Sequence, residues 1–322
     1  MEREPLVSVL IPAYCHEKYI QEAIHSVINQ TYKRIELIVI DDGSSDSTWQ
    51  KMQEIKRECE ERFERVYFET KKNEGVCKTL NKLLMYSKGE FLLFVASDDR
   101  VKPEAIEKEI SFLINHPEFS LVVGDSEIID SEGTTCYWDK NREIVYDIRE
   151  ARSTTFVEFL KRQNNYFNDR DFGRYETLLR QNYIPNGGLV RKSIYDIIGF
   201  YPDGLILEDF WSVLQISKYT RMKYLNEILY SYRWHNSNTI KNSEKMRIAG
   251  ENTLALEFEI QKSIDRSLVL DGVLEVIDNG FLSKKRGIPF LFEILTFRKA
   301  NQKIKYIKIF DFTVFKFTVH SK

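Results

Sequence analysis

Cysteine, long apolar runs and net charge are all scarce in this chain, and each scarcity argues against a class of protein. The four cysteines, Cys15, Cys59, Cys77 and Cys136, have neither a close pair nor metal-ligand spacing. Reduced thiols in a cytosolic protein are expected rather than a disulfide framework or a thiolate zinc site. No uninterrupted apolar stretch reaches the roughly 20 residues of a membrane-spanning helix, and Met1-Glu2-Arg3-Glu4-Pro5 leads directly into an apolar strand. Neither a signal peptide nor a transmembrane helix is therefore expected. The formal charge is −2 over 322 residues, and no nucleic-acid partner is expected, because the bases gather only near the C-terminus. Glycine is missing from the loop Pro12-Ala13-Tyr14-Cys15-His16-Glu17, and there is no Gly-Lys-Ser or Gly-Lys-Thr. A dinucleotide site and a P-loop both need glycine where backbone meets phosphate, so neither is favoured.

What is present is an alternation of strands and helices. Hydrophobic residues make up 43% and charged residues 30% of the chain, a balance that suits a folded domain with a substantial core. Residues 7–11 read as the opening strand, and 17–30 as a helix whose Ile20, Ala23, Ile24, Val27 and Ile28 share one face. A strand over 35–40 precedes a helix over 46–61, which Ser44 or Ser45 can cap. A short strand at 66–68, a helical face of Val76, Leu80, Leu83 and Leu84, and a strand at 91–96 follow. With a helix entered at Pro103 and a strand at 121–123, these predict an α/β/α sandwich with a mostly parallel sheet. Residues 125–150 are turn-rich, with antiparallel strands near 128–129 and 136–138; 153–182 read as helical, and so does most of the chain from 242 onward.

Two acidic clusters stand where buried strands run out: Asp41-Asp42-Gly43-Ser44-Ser45-Asp46 after the second strand, and Ser97-Asp98-Asp99 after 91–96. Ligands of parallel sheets bind beyond the carboxyl ends of the strands. Carboxylates there can hold a divalent cation or sugar hydroxyls, and together they suit a pyrophosphate–metal ligand. Two surface turns, acidic by accident, would look similar one at a time.

Further segments recur in a fixed order. Val7-Ser8-Val9-Leu10-Ile11-Pro12-Ala13-Tyr14, Ser26-Val27-Ile28-Asn29-Gln30-Thr31-Tyr32 and Glu36 through Asp46 come first. Asn73-Glu74-Gly75 through Asn81, Ser97-Asp98-Asp99, Glu208-Asp209 and Tyr232-Arg233-Trp234-His235 follow. The ordered set resembles glycosyltransferase family 2, inverting nucleotide-sugar enzymes with a GT-A fold, over about residues 6 to 240. The resemblance implies that Pro12, Ala13 and Tyr14 line a base site where Asp42 accepts the imide N–H of a uridine-like base, while Asp41 supports the turn or the ribose. It implies Asp99 as the residue that meets Mg²⁺ or Mn²⁺ and Asp98 as a ribose or metal-shell ligand. His235 falls near the metal or diphosphate, and Arg233 adds a cationic contact to the diphosphate. Where the family often has an earlier aspartate, this chain has Ala96-Ser97. Asp209 matches the general base, with Glu208 orienting the loop or serving as runner-up. Asn186, Gly187 and Gly188 would approach the donor sugar or acceptor. Trp211 would lie beneath the acceptor sugar, with a core position as the plainer alternative.

The expected function is an inverting transfer of a sugar from a nucleoside-diphosphate donor, UDP-linked in the first instance, to a hydroxyl of a glycan or lipid-linked saccharide in bacterial surface-polysaccharide synthesis. A retaining transferase or glycosidase is the rival within catalysis. A non-catalytic nucleotide-sugar binder or scaffold is the rival outside it. The expected domains are 1–240, with a nucleotide-binding half over 1–124 and an acceptor-side half over 125–240, and an extension over 241–322. From 284 onward the extension carries ten bases against two acids, Glu293 and Asp311, interleaved with phenylalanines. That composition suits contact with an anionic membrane surface from the cytoplasmic side, and a packing or homodimer element is the alternative.

Overall fold

The computed structural model describes residues 4–270 and 272–278, together with the backbone of strands at 292–299, 302–309 and 312–319. Its centre is built from apolar runs too continuous to alternate. Strands β1 (Val7–Ala13) and β2 (Ile35–Asp41) are buried along almost their whole length, as strands covered on both faces must be. Around them run α1 (Ile20–Ile28), α2 (Thr48–Glu54), α3 (Lys56–Arg62), β3 (Arg65–Thr70), α4 (Val76–Tyr86) and β4 (Phe91–Phe94). Next come β5 (Arg100–Val101), α5 (Ala105–Asn115), β6 (Phe119–Ile129), β7 (Thr135–Trp138), β8 (Ile144–Val145), α6 (Phe156–Lys161) and α7 (Tyr175–Leu178). After these, β9 (Leu189–Arg191), α8 (Tyr195–Ile198), α9 (Glu208–Tyr219), β10 (Arg221–Arg233), α10 (Ser243–Ile260) and α11 (Val273–Asp278) follow.

The main path of the sheet is β3-β2-β1-β4-β9-β6-β10-β5. β1 pairs in parallel with β2 and β4, and β2 with β3. β9 enters antiparallel to both β4 and β6. Two reversals restore the original direction, so β6 and its parallel partner β10 end at the same edge as β1, β2 and β4. That edge carries the acidic clusters and Arg233-Trp234-His235. Gly187 and Gly188 make the insertion of β9 feasible. A Cβ on Gly187 (φ +85°) would come 2.2 Å from Tyr230 Cδ2, and one on Gly188 would come 2.8 Å from the Val122 carbonyl. Both glycines are thus spent on packing.

Departures from the sequence expectation have local causes. The second helix divides into α2 and α3, and its N-cap is Ser47, without a side-chain cap. Asp46 Oδ1 accepts from the Thr48 N–H at 3.0 Å, while Ser44 turns back to Asp41 and to the Cys15 N–H. Residues 153–182 are largely irregular outside α6 and α7. Asn168 Oδ1 accepts from the N–H groups of Arg170 and Asp171 at 3.0 Å each, and Asn164 Oδ1 from Tyr166 at 3.2 Å. Such local bonds compete with helical ones. Beyond 242, α10 and α11 are helical as expected, whereas 292–319 form the antiparallel strands β11 (Phe292–Lys299), β12 (Gln302–Ile309) and β13 (Phe312–Val319). Two compact units, Met1–Thr253 and Leu254–Lys322, divide within α10. The side chains of the basic, aromatic stretch lie outside the described residues.

Two buried glutamates show how polar burial is handled. Glu36 accepts from Ser8 Oγ (2.5 Å), Arg65 Nη1 (2.7 Å) and the Gly89 N–H (3.1 Å). Glu109, equally inaccessible in α5, has no well-aligned hydrogen-bond partner on either oxygen among the described residues. Burial pushes its pKa well above the ordinary glutamate value, with the Gly124 and Leu189 amides facing it and only partly offsetting the effect. A raised folded-state pKa contributes stability below the unfolded value of about 4.3, and that contribution is lost as pH rises through the folded value. Glu109→Gln should therefore stabilise the protein near neutral pH by about 1–4 kcal/mol, with the gain shrinking toward pH ~4. Urea unfolding at the two pH values measures this; a gain independent of pH would mean that Glu109 titrates normally.

Candidate functional site

Beyond β4 the chain turns, with the Asp99 N–H donating to the Ala96 carbonyl at 3.1 Å, and the two acids of this turn have different surroundings. Asp99 turns inward. It is 2% exposed and accepts from the Arg233 N–H at 2.8 Å and from the Tyr230 hydroxyl. Burial, with the neighbouring charge of Asp98, raises its pKa well above the carboxylate range. Asp98 faces the cleft, where its Oδ2 lies 2.9 Å from His235 Nε2 and 3.9 Å from His16 Nε2. Burial opposes its ionisation, but the His235 hydrogen bond and the charge of His16 hold its pKa below the usual value.

His16, Asp98 and His235 offer ligand atoms that all lie within 4.8 Å of one another. Both imidazoles are pinned by their other nitrogen: His16 Nδ1 to Ser97 Oγ at 2.7 Å, His235 Nδ1 to Ser237 Oγ at 2.8 Å. Second-sphere bonds of this kind orient metal-ligating histidines. Burial also lowers the pKa of His16, which keeps a lone pair available at neutral pH. The residues therefore fit a divalent cation. Ser97, in the place of a missing family acid, serves to aim His16. Sequence reasoning passed over His16 because no other histidine stands near it; the sheet brings residues 16 and 235 together. Its place in the loop after β1 was the available signal.

The expected base site is at the ends of β1 and β2. Tyr14 is 50% exposed, next to Pro12 and Ala13 at the edge of the sheet. Asp41 accepts from the Ser44 N–H at 3.2 Å and from Thr70 Oγ1 at 2.6 Å, and so holds the turn. Asp42 is ion-paired with Lys71 and accepts from the Glu74 and Gly75 N–H groups at 3.0 and 2.9 Å, fastening the start of α4.

α4 in turn positions the second acid pair. Asn81 exchanges hydrogen bonds with the Tyr201 backbone at 2.9 and 2.8 Å, and Cys77 Sγ donates to the Leu205 carbonyl. This ties down the loop that delivers Glu208 and Asp209 to the first turn of α9. Asp209 keeps contact with solvent while protein surrounds it on most sides, and this desolvation raises its pKa; Asn182 Nδ2 donates to its Oδ2 at 3.0 Å. Glu208 is pushed to about 8, by burial first and then by the charge of Asp209. Burial first, and then the charges of Asp99, Asp98 and Asp209, raise the pKa of Tyr232, so both acid pairs lie within electrostatic reach of this one ring.

Several expected ligands are engaged elsewhere. Arg233 is 1% exposed; its guanidinium bonds the carbonyls of Asp98 (2.6 Å), Asp130 (3.1 Å) and Ser131 (3.2 Å), pairs with Glu22 and stacks on Tyr19. It is a structural clamp with little left for a diphosphate. Trp211 is 2% exposed and packs on Tyr201, a core position instead of an open platform. Asn186 is exposed beside the buried Gly187.

The profile named Glycosyl transferase family 2 matches residues 8–195. TuaG of Bacillus subtilis (strain 168), a glycosyltransferase assigned to teichuronic acid biosynthesis, is 36% identical over 111 residues, 34% of this chain and 43% of its own length. An uncharacterized glycosyltransferase of Haemophilus influenzae is 39% identical over 129 residues, 40% of this chain and 39% of its own length. The chain thus spans well under half the length of these curated relatives. Among solved structures, Staphylococcus aureus TarS 1-349 in complex with UDP-GlcNAc superposes with a TM-score of 0.54 at 20% identity, covering 79% of this chain and 66% of that one. The Pyrobaculum calidifontis mannosyltransferase PcManGT with GDP-Man and Mn2+ gives 0.54 at 15% identity, covering 82% and 66%. These structural likenesses show a shared GT-A fold. The profile covers more than half of the sequence and spans the opening strand and both acidic clusters, so the chain belongs to glycosyl transferase family 2.

Proposed function

We propose that the protein is an inverting glycosyltransferase that moves a sugar from a nucleoside-diphosphate donor to a hydroxyl of a glycan or lipid-linked saccharide of a bacterial surface polysaccharide. The observation that carries this reading is a ligand cluster at the strand ends together with a separate raised-pKa acid, both within electrostatic reach of Tyr232. Asp209 takes the proton of the acceptor hydroxyl as that oxygen attacks the anomeric carbon, and the nucleoside diphosphate leaves from the opposite face. Glu208, with a pKa of about 8, still holds its proton at neutral pH, which leaves Asp209 as the acceptor. Tyr14, with Pro12 and Ala13, borders the nucleobase; Asp41 and Asp42 shape that end of the cleft. Asn182 orients the base.

His16, Asp98 and His235 would hold the cation, which when bound neutralises charge developing on the leaving diphosphate. Two imidazoles and one carboxylate suit Mn²⁺ better than Mg²⁺, which prefers oxygen ligands and keeps its waters. Transfer should accordingly be supported more strongly by Mn²⁺ than by equimolar Mg²⁺ after chelation. A donor panel with a lipid-linked acceptor, followed by linkage and anomer determination, tests the whole reading. Hydrolysis to free sugar, or a product that keeps the donor's anomeric configuration, would reject it.

A further inference from the structure

Tyr19 occupies the N-cap position of α1 without capping it, where a short polar side chain ordinarily satisfies a free amide. Its ring is engaged elsewhere. The ring centre lies 6.0 Å from that of His16 at 65° and 5.2 Å from that of His235 at 40°, separations at which aromatic rings pack favourably. The Arg233 guanidinium lies 4.7 Å from the same ring centre and is itself fixed by the carbonyls of Asp98, Asp130 and Ser131 and by Glu22. Tyr19 thus rests on an immobilised cation. The backbone ties it to the first histidine as well, because the His16 carbonyl accepts from both the Tyr19 and the Ile20 N–H at 2.9 Å. All of these contacts are made by the ring or the backbone, and none by the hydroxyl. Each imidazole has one bond at Nδ1, from His16 to Ser97 Oγ and from His235 to Ser237 Oγ. One bond sets a direction but leaves a ring free to swing about it. A rigid face against both rings removes that freedom.

We propose that Tyr19 is a positioning residue, whose ring is the wedge that holds His16 and His235 at the spacing of two ligands to one cation. The loop after β1 delivers one imidazole and the end of β10 the other, and Tyr19 is the side chain that packs on both. It acts through these two rings, whose centres stand 6.1 Å apart and at right angles. The purpose of that spacing rests on the cation reading of the cluster; the ordering of the rings does not.

The test titrates the full-length protein with Mn²⁺ alone by calorimetry and records the histidine Cε1–Hε1 signals by NMR without metal. Tyr19→Leu should weaken Mn²⁺ by about 10–100-fold, the usual cost of losing a group that orients a ligand, and should broaden or double the His16 and His235 signals. Tyr19→Phe keeps the ring and loses only the hydroxyl, so it should match wild type in both readouts. Tyr19→Met, apolar but pliable, should behave as Tyr19→Leu does and takes its place if that variant unfolds. Mn²⁺ affinity and histidine linewidths unchanged in the folded Leu or Met variant overturn the proposal, even if the melting temperature falls. So does a loss in Tyr19→Phe as large as in Tyr19→Leu. If wild type binds no Mn²⁺, or binds it equally well after Asp98→Asn, the cation reading falls, while broadened signals in Tyr19→Leu still support the wedge.

Discussion

Asp209→Asn should lower the rate of transfer by about 10²–10⁴-fold, the usual contribution of a general base, which corresponds to about 3–5 kcal/mol in the barrier. The substitution preserves size and removes the proton acceptor, so the melting temperature and donor affinity should change little. The pH profile supplies an independent signature. Because desolvation raises the Asp209 pKa, the acid limb of kcat/KM should lie above the ordinary aspartate value of about 3.9. Activity should fall as pH drops through that raised pKa, and the limb should vanish in Asp209→Asn. Glu208→Gln should cost less, since Glu208 is already protonated at neutral pH. Near-normal transfer by Asp209→Asn with a large loss in Glu208→Gln would exchange the two assignments.

The second large effect concerns the cation. Asp98→Asn should reduce metal-supported transfer by at least about 10²-fold, since neutralising the leaving group is worth several kcal/mol. Affinity for UDP measured under chelation should be nearly unaffected. His16→Ala should weaken Mn²⁺ binding in the same direction, which isothermal titration with the metal alone can read. Asp99→Asn should behave differently: Asp99 is buried under the Arg233 N–H and the Tyr230 hydroxyl, so its main effect should be on unfolding. If Asp99→Asn abolishes metal binding while Asp98→Asn spares it, the cleft-facing acid has been misassigned.

Much of the fold was legible in the residues because burial on both faces leaves a one-dimensional trace. The runs at 7–11, 35–40 and 91–96 had to be central strands, and the acids after them had to stand at their carboxyl ends. The ordered motifs likewise indicated the family without coordinates, since each tracks a turn that the chain makes locally. The helix expected over 153–182 was lost because Asn164 and Asn168 bond their own neighbours, a competition that apolar spacing does not record.

The site itself was only partly visible. The sequence placed Asp98 and Asp99 together beyond a strand end, but only the tertiary structure decided which one is buried and which meets the histidines, because that depends on the turn at 96–99 and on Tyr230 filling the space that Gly187 clears. Sequence spacing set His16 apart from His235; the two reversals around β9 carry β10 back to the edge where β1 ends, and so bring the rings to 6.1 Å. Arg233 read as a diphosphate ligand because its charge was known and its partners were not; three carbonyls, Glu22 and Tyr19 consume it. The sequence by itself determined which residues had to be buried and which chemical groups gather at the strand ends. The tertiary structure decided the direction each group faces and whether its hydrogen bonds are already spent, because both depend on neighbours far along the chain.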